Sequence, residues 1–403
     1  MNWLRRLWRN RLLDVGLGVV VVVGLWKIAS ILPERSQTND FAHYYLGSRL
    51  VWAGANPYAT PLEPLCRQFG FMFEPAIPIA TNPPVLLWAF GLLAWLTPTW
   101  AYAGWVAVQL ASLALLLWMI RELFGQRLSA RGWWWLCAGV TVSTPVYLHF
   151  YYAQVQLPLA VVVLAAYRWQ NRGWHRLAVV TIVLAGLLKL YPLFWLPWLI
   201  LGAPARRRIG LAGLAVALLV VGVVLSGPWL WWEFYNHALP VITRCSLGNP
   251  VLNVPSLILN LASAARGYAV PADFVALWLG IGTATGLGLI VGAYVIGQRC
   301  ADREVQFGLV TVGVLAGTVA AQGHYFVFLV FPVALAAVRF WHWPPTWSGV
   351  GLVVAVLLLN CPTDIAAGFL DRHLLLKVLL NYLPLVGLLI VGWLLAHAGA
   401  TGK

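Results

Sequence analysis

Asn39-Asp40-Phe41-Ala42-His43-Tyr44-Tyr45-Leu46-Gly47-Ser48-Arg49, continued by Gly54-Ala55-Asn56-Pro57-Tyr58, opens the first polar segment of the chain, and its reading decides the fold. It follows an apolar run from Leu12 to Leu32, and about 20 such residues suffice to cross a hydrocarbon core of about 30 Å. The segment from Pro33 to Asn82 carries Asp40, Glu63 and Glu74 among several prolines, and is too polar to cross. It reads as an exported loop. The basic start of the chain, Arg5-Arg6 with Arg9 and Arg11, keeps the first span's beginning in the cytoplasm. A secretory leader would show a shorter apolar core and a small-residue cleavage site. Inside the loop, Phe41 to Trp52 reads as a short amphipathic helix lying on the bilayer surface.

Composition agrees. Of 403 residues, 61% are hydrophobic and 9% charged, where a soluble chain carries roughly a quarter charged residues. Mean hydropathy is +0.81. Helices satisfy their own backbone in lipid, so an all-α polytopic membrane protein follows. The net charge of +14 belongs to cytoplasmic loops rather than to a nucleic-acid partner. Cys66, Cys137, Cys245, Cys300 and Cys361 form no CxxC pair, which argues against a zinc or redox centre.

Working outward, Asn82-Pro83-Pro84 opens an apolar run to Leu96 that is short for a span, and Trp100–Ile120 follows. If both crossed, the basic loop from Arg121 to Arg131 would lie outside, against the positive-inside rule. The segment 83–96 is therefore read as re-entrant. About twelve spans result, with both termini cytoplasmic, in a single membrane domain over 1–403. The outside loops are 33–99, 227–273 and a third carrying Asp364, Asp371, Arg372, His373 and Lys377.

This topology sends the unusual polar residues to one face, where ionisable groups at membrane depth invite a functional reading. Asp40 is either the N-cap of its helix or a general base that takes the proton of a sugar acceptor hydroxyl. His43 lies three residues on, and the two together are too few for a metal site. Lys189, in Lys189-Leu190-Tyr191-Pro192, is either a snorkelling helix-end lysine or the point charge that holds a departing lipid phosphate. His324 is either structural or positions acceptor or phosphate. Gln154 and Gln156 are neutral hydrogen-bonders or helix caps. Arg49 pairs a phosphate, Asp40 or lipid headgroups, and Arg244 and Arg266 carry the same alternatives. No Walker or Gly-rich phosphate loop is present, and no cofactor or metal is implied.

Asp40-Phe41, Tyr44-Tyr45, Gly47, Arg49, Gly54 and Asn56-Pro57-Tyr58 together resemble the opening motif of the family 87 polyprenol-phosphate-sugar glycosyltransferases. Asn82-Pro83-Pro84, Ala153-Gln154-Val155-Gln156, Ala185-Gly186-Leu187-Leu188-Lys189-Leu190-Tyr191-Pro192 and Gly323-His324-Tyr325 follow in the family's order. The chain departs at Ala153-Gln154, where the family commonly has Gly-Gln, so Gln154 or Gln156 is the equivalent residue. The resemblance implies the GT-C membrane fold of the mycobacterial phosphatidylinositol-mannoside mannosyltransferases and an inverting transfer. It matches Asp40 to the catalytic aspartate, Lys189 to the Lys-Tyr-Pro lysine and His324 to the late-helix histidine, with Tyr44 in the opening motif. The expected partners are a polyprenyl-phosphate sugar donor, a glycolipid or glycan acceptor and membrane lipids, at the outer face of the plasma membrane. The alternatives are a transporter or lipid-linked sugar flippase, and a non-catalytic subunit of an envelope polysaccharide assembly.

Overall fold

The computed structural model describes residues 2–35, 39–71, 77–244, 247, 251–319, 321–340, 346–362 and 373–401. Glu74 and the expected outside residues Asp364, Asp371 and Arg372 lie outside them. The described residues are helical, without a strand. In chain order the helices are α1 (Asn2–Arg35), α2 (Asn39–Trp52), α3 (Glu63–Gln68), α4 (Pro84–Ala94), α5 (Pro98–Phe124), α6 (Ala130–Val142) and α7 (Thr144–Tyr151). Then come α8 (Gln156–Asn171), α9 (His175–Leu188), α10 (Leu196–Leu201), α11 (Ala205–Ser226), α12 (Pro228–Glu233), α13 (Leu239–Arg244) and α14 (Val254–Ala264). The chain closes with α15 (Ala272–Arg299), α16 (Arg303–Gly317), α17 (Val330–Phe340), α18 (Trp347–Leu359), α19 (Leu374–Asn381) and α20 (Leu383–Thr401). Short 3-10 segments, Tyr191–Trp195 and Gly323–Leu329, precede α10 and α17.

Among the described residues, six helical segments are long and apolar enough to cross a membrane: Leu13–Pro33, Pro98–Phe124, Ala205–Ser226, Ala272–Arg299, Gly323–Phe340 and Leu383–Ala400. The other expected spans are shorter or broken, each for a local reason. Trp133–Tyr147 divides at Ser143, whose hydroxyl caps α7 at Val146 N–H ahead of Pro145. α9 stops at Lys189, before Pro192, which has no N–H to give an α-helix. α4 has 11 residues, about 16 Å of helix at 1.5 Å per residue, roughly half a hydrocarbon core. It packs along α2 and cannot cross as a straight helix.

One expectation is corrected. α2 does not rest on the bilayer surface as an amphipathic helix. Phe41 to Ser48, Leu50 and Val51 are all buried, and Trp52 at its end is exposed. α4 covers one side, where the Phe41 and Phe90 rings stand 6.1 Å apart. Tyr102 of α5 covers another, 5.0 Å from Phe41, and Phe71 a third. The segment that reads as surface is roofed by the rest of its own loop.

The core runs along α8. Tyr167 stacks on Phe307 at 4.5 Å, and Phe331 closes on both. α15 and α16 approach backbone to backbone: a Cβ built on Gly286 would run into the Gly317 carbonyl oxygen, and the reverse holds too. This is the small-residue contact that lets apolar helices associate where burial from water offers little drive.

The basic loops meet at one end of the bundle. Arg127 grips Glu304 with both amino groups, Arg339 pairs with Asp302, and Arg168 lies 3.9 Å from Glu122. The loop after α5 therefore shares a face with those after α8 and α15. α8 and α9 run from that face to the opposite one, where Gln156 begins the first and Lys189 ends the second.

Candidate functional site

At that opposite end, several interrupted helices stop around one point. Asp40 stands in the first turn of α2, Gln154 in the turn between α7 and α8, Lys189 at the C-cap of α9 and His324 in the 3-10 segment before α17. Irregular backbone at this depth is tolerated where it is buried in protein or lines a cavity.

Gln154 is the organising residue. Its buried side-chain carbonyl accepts from the Tyr44 hydroxyl at 3.0 Å, which orients its amide N–H to hydrogen-bond the Asp40 carboxylate. Its main-chain carbonyl accepts from Gln109 Nε2 at 2.9 Å, and the preceding carbonyl of Ala153 accepts from Trp105 Nε1 at 2.7 Å. To deliver Gln154 this way the chain turns left-handed at Ala153, with φ +51°. Glycine adopts that conformation freely and alanine does not.

Lys189 donates to Asn82 Oδ1 at 2.7 Å, and its ammonium sits 5.9 Å from the centre of the Tyr44 ring. It acts on Asp40 through space and closes no salt bridge with it. Asp40 and Lys189 both keep accessible surface, whereas Tyr44, Gln154 and Asn82 are buried. The charged pair is thus deep but reachable, and the groups that aim it are fixed. Burial raises the Asp40 carboxyl to about 6, against the pull of Lys189 and the Gln154 hydrogen bond. A carboxylate so placed is ionised at neutral pH and more basic than an exposed one.

His43 is buried, and desolvation lowers its imidazole to about 4, opposed by a backbone hydrogen bond with Ile79 and helped by Lys189. It is a neutral wall residue at physiological pH. Arg49 is not brought to the pair. Nine residues along a helix carry it about 13 Å onward and half a turn around from Asp40. There its Nε donates to Tyr45 Oη at 3.2 Å, and its guanidinium lies over Phe69 at 4.6 Å. Arg266 lies over Phe274 at 4.4 Å.

His324 is buried within electrostatic reach of Lys189 and His149, with Tyr152 5.8 Å away. Gln156 is fully buried near the Tyr325 hydroxyl, though neither amide atom makes a complete hydrogen bond. The two long loops touch each other here. Asn56 Nδ2 donates to Glu233 at 2.8 Å, and Tyr58 lies against Phe234 at 5.6 Å while its hydroxyl holds the Asn82 carbonyl at 2.7 Å.

Two contributors were missed from sequence. Asn82 enters the sequence reading as the opening of an apolar run and within a family motif, with no role of its own, yet it anchors Lys189. Its signal was an amide flanked by Pro83-Pro84, which fixes the backbone. His149 was passed over as part of a turn, although a histidine inside the otherwise apolar α7 is itself unusual.

The described residues contain no group of three or more His, Cys, Asp or Glu that could hold a metal ion. A comparison with curated proteins gives no match. A family model described as glycosyltransferase family 87 matches residues 80–321, more than half of the chain. The match takes in Asn82, Gln154, Gln156 and Lys189 and leaves Asp40 and His324 outside it.

Proposed function

The chain belongs to glycosyltransferase family 87 and is a transferase, and from that premise we propose that it moves a hexose, mannose in the first instance, from a polyprenyl monophosphate to a lipid or glycan acceptor. Membership of a transferase family sets aside the transporter and assembly-subunit alternatives. The observation that carries the reading is the pairing of a deep, reachable carboxylate with an ammonium it does not neutralise, both positioned by neutral amides.

In the proposed step the acceptor hydroxyl gives its proton to the Asp40 carboxylate as its oxygen bonds to the anomeric carbon. The bond from that carbon to the phosphate oxygen breaks on the opposite side, and polyprenyl phosphate leaves with the electron pair. Lys189 meets the charge that develops on it. Interactions that strengthen as charge develops are the ones that accelerate a reaction. A base with its pKa near 6 suits the proton transfer at neutral pH. No step uses a metal. The basic loops at the other end of the bundle, taken with the positive-inside rule, support an outward-facing site in the plasma membrane with both termini cytoplasmic.

The test is incubation of purified protein with a panel of polyprenyl-phosphate sugars and acceptor lipids, following free polyprenyl phosphate. Release with at least one donor supports the proposal. Turnover of nucleotide sugars alone overturns it.

A further inference from the structure

Beside the Asp40–Lys189 pair lies a set of buried polar atoms that the transfer step leaves unused. His149 is fully buried, and neither of its ring nitrogens has a hydrogen-bond partner. The same holds for both amide atoms of fully buried Gln156 and for Nδ1 of His324. These groups share one neighbourhood. His149 and His324 interact electrostatically, and a Cβ on Gly323 would strike the Leu148 side chain. The neighbourhood adjoins the catalytic pair, because the Gln154 N–H donates to the His149 carbonyl at 3.0 Å while the Gln154 side chain holds Tyr44 and Asp40.

An unmet buried polar group costs about 1–3 kcal/mol, and native proteins keep few of them. Several in one place, next to a reactive centre, call for a partner that both donates and accepts. The donor's phosphate is matched by Lys189, a fixed charge. Neutral imidazole and carboxamide instead match hydroxyl groups, each of which donates one hydrogen bond and accepts others. Resting on the donor class proposed above, we infer that His149, Gln156 and His324 form the subsite that reads the hydroxyls of the transferred sugar. His149 is its specificity-determining contact.

The experiment compares binding of a bare long-chain polyprenyl monophosphate with that of the same lipid carrying mannose or another hexose. It uses wild-type protein, His149→Leu and His149→Gln, with thermal unfolding as a check on folding. The wild type prefers the sugar-bearing lipid. His149→Leu loses about tenfold of that preference, the equivalent of one hydrogen bond, and keeps its affinity for the bare lipid. His149→Gln, which still donates and accepts, retains most of the preference. An unchanged preference in His149→Leu overturns the subsite, as does an equal loss for both lipids, which marks a structural role. If His149→Leu does not fold, Gln156→Leu is judged by the same two outcomes. Wild-type protein that binds neither lipid overturns the donor class itself, and the subsite with it.

Discussion

Replacing Asp40 by asparagine separates chemistry from stability. The carboxyl is raised from an ordinary 3.8 to about 6, and each unit is worth about 1.4 kcal/mol. Ionising Asp40 in the folded protein thus costs about 3 kcal/mol more than in water, and about 2 kcal/mol once its partial contact with solvent is allowed for. That figure is already net of the attraction to Lys189. Asparagine resembles the protonated acid, so Asp40→Asn relieves the cost and stabilises the fold by about 2 kcal/mol at pH 7. The sign follows from linkage. A carboxyl whose folded pKa is raised favours the protonated folded state, so wild-type stability falls as pH rises from about 4 through about 6 and stays lower above it. The variant lacks this decline. Transfer in Asp40→Asn falls by at least 10²-fold, because an amide accepts no proton. The assay is thermal unfolding in detergent from pH 4 to 8, beside polyprenyl phosphate release. An Asp40→Asn protein that keeps full activity, or that is less stable than wild type at pH 7, refutes the reasoning.

Other consequences are as direct. The acid limb of kcat/KM falls away below pH about 6 as Asp40 protonates, and a flat profile from pH 5 to 8 contradicts its role as base. Lys189→Gln lowers kcat by about 10²-fold or more while the protein remains folded, since one charge stabilising a leaving group is worth that order; single-turnover kinetics check it. Ala153→Gly relieves a left-handed alanine and raises stability by up to about 1 kcal/mol with activity retained, measured as a shift in Tm. Gly286→Leu forces α15 away from the Gly317 carbonyl and lowers Tm by several degrees or prevents expression.

Much of this was readable from the sequence because membranes restrict the choices. Long apolar runs and basic loops fixed the helical class and the ends of the long spans, and they placed Asp40, Gln154 and Lys189 at one end before any contact was known. What escaped depended on tertiary cover. α2 looked amphipathic because Asp40, His43 and Arg49 interrupt it. Nothing local announces that Phe71, Phe90 and Tyr102 will enclose it. Arg49 reads equally as a partner for a phosphate, for Asp40 or for lipid headgroups, and the helix turns it toward Tyr45 and Phe69. The link from Asn82 to Lys189 spans 107 positions, and no local pattern encodes a side-chain partner at that distance.

The central claim is a single displacement with Asp40 as base, and the configuration of the transferred sugar tests it most directly. Product formed from a donor of known anomeric configuration, read by the anomeric proton coupling in NMR, should carry the inverted linkage. A product with retained configuration means that a covalent or front-face route operates, and contradicts the account.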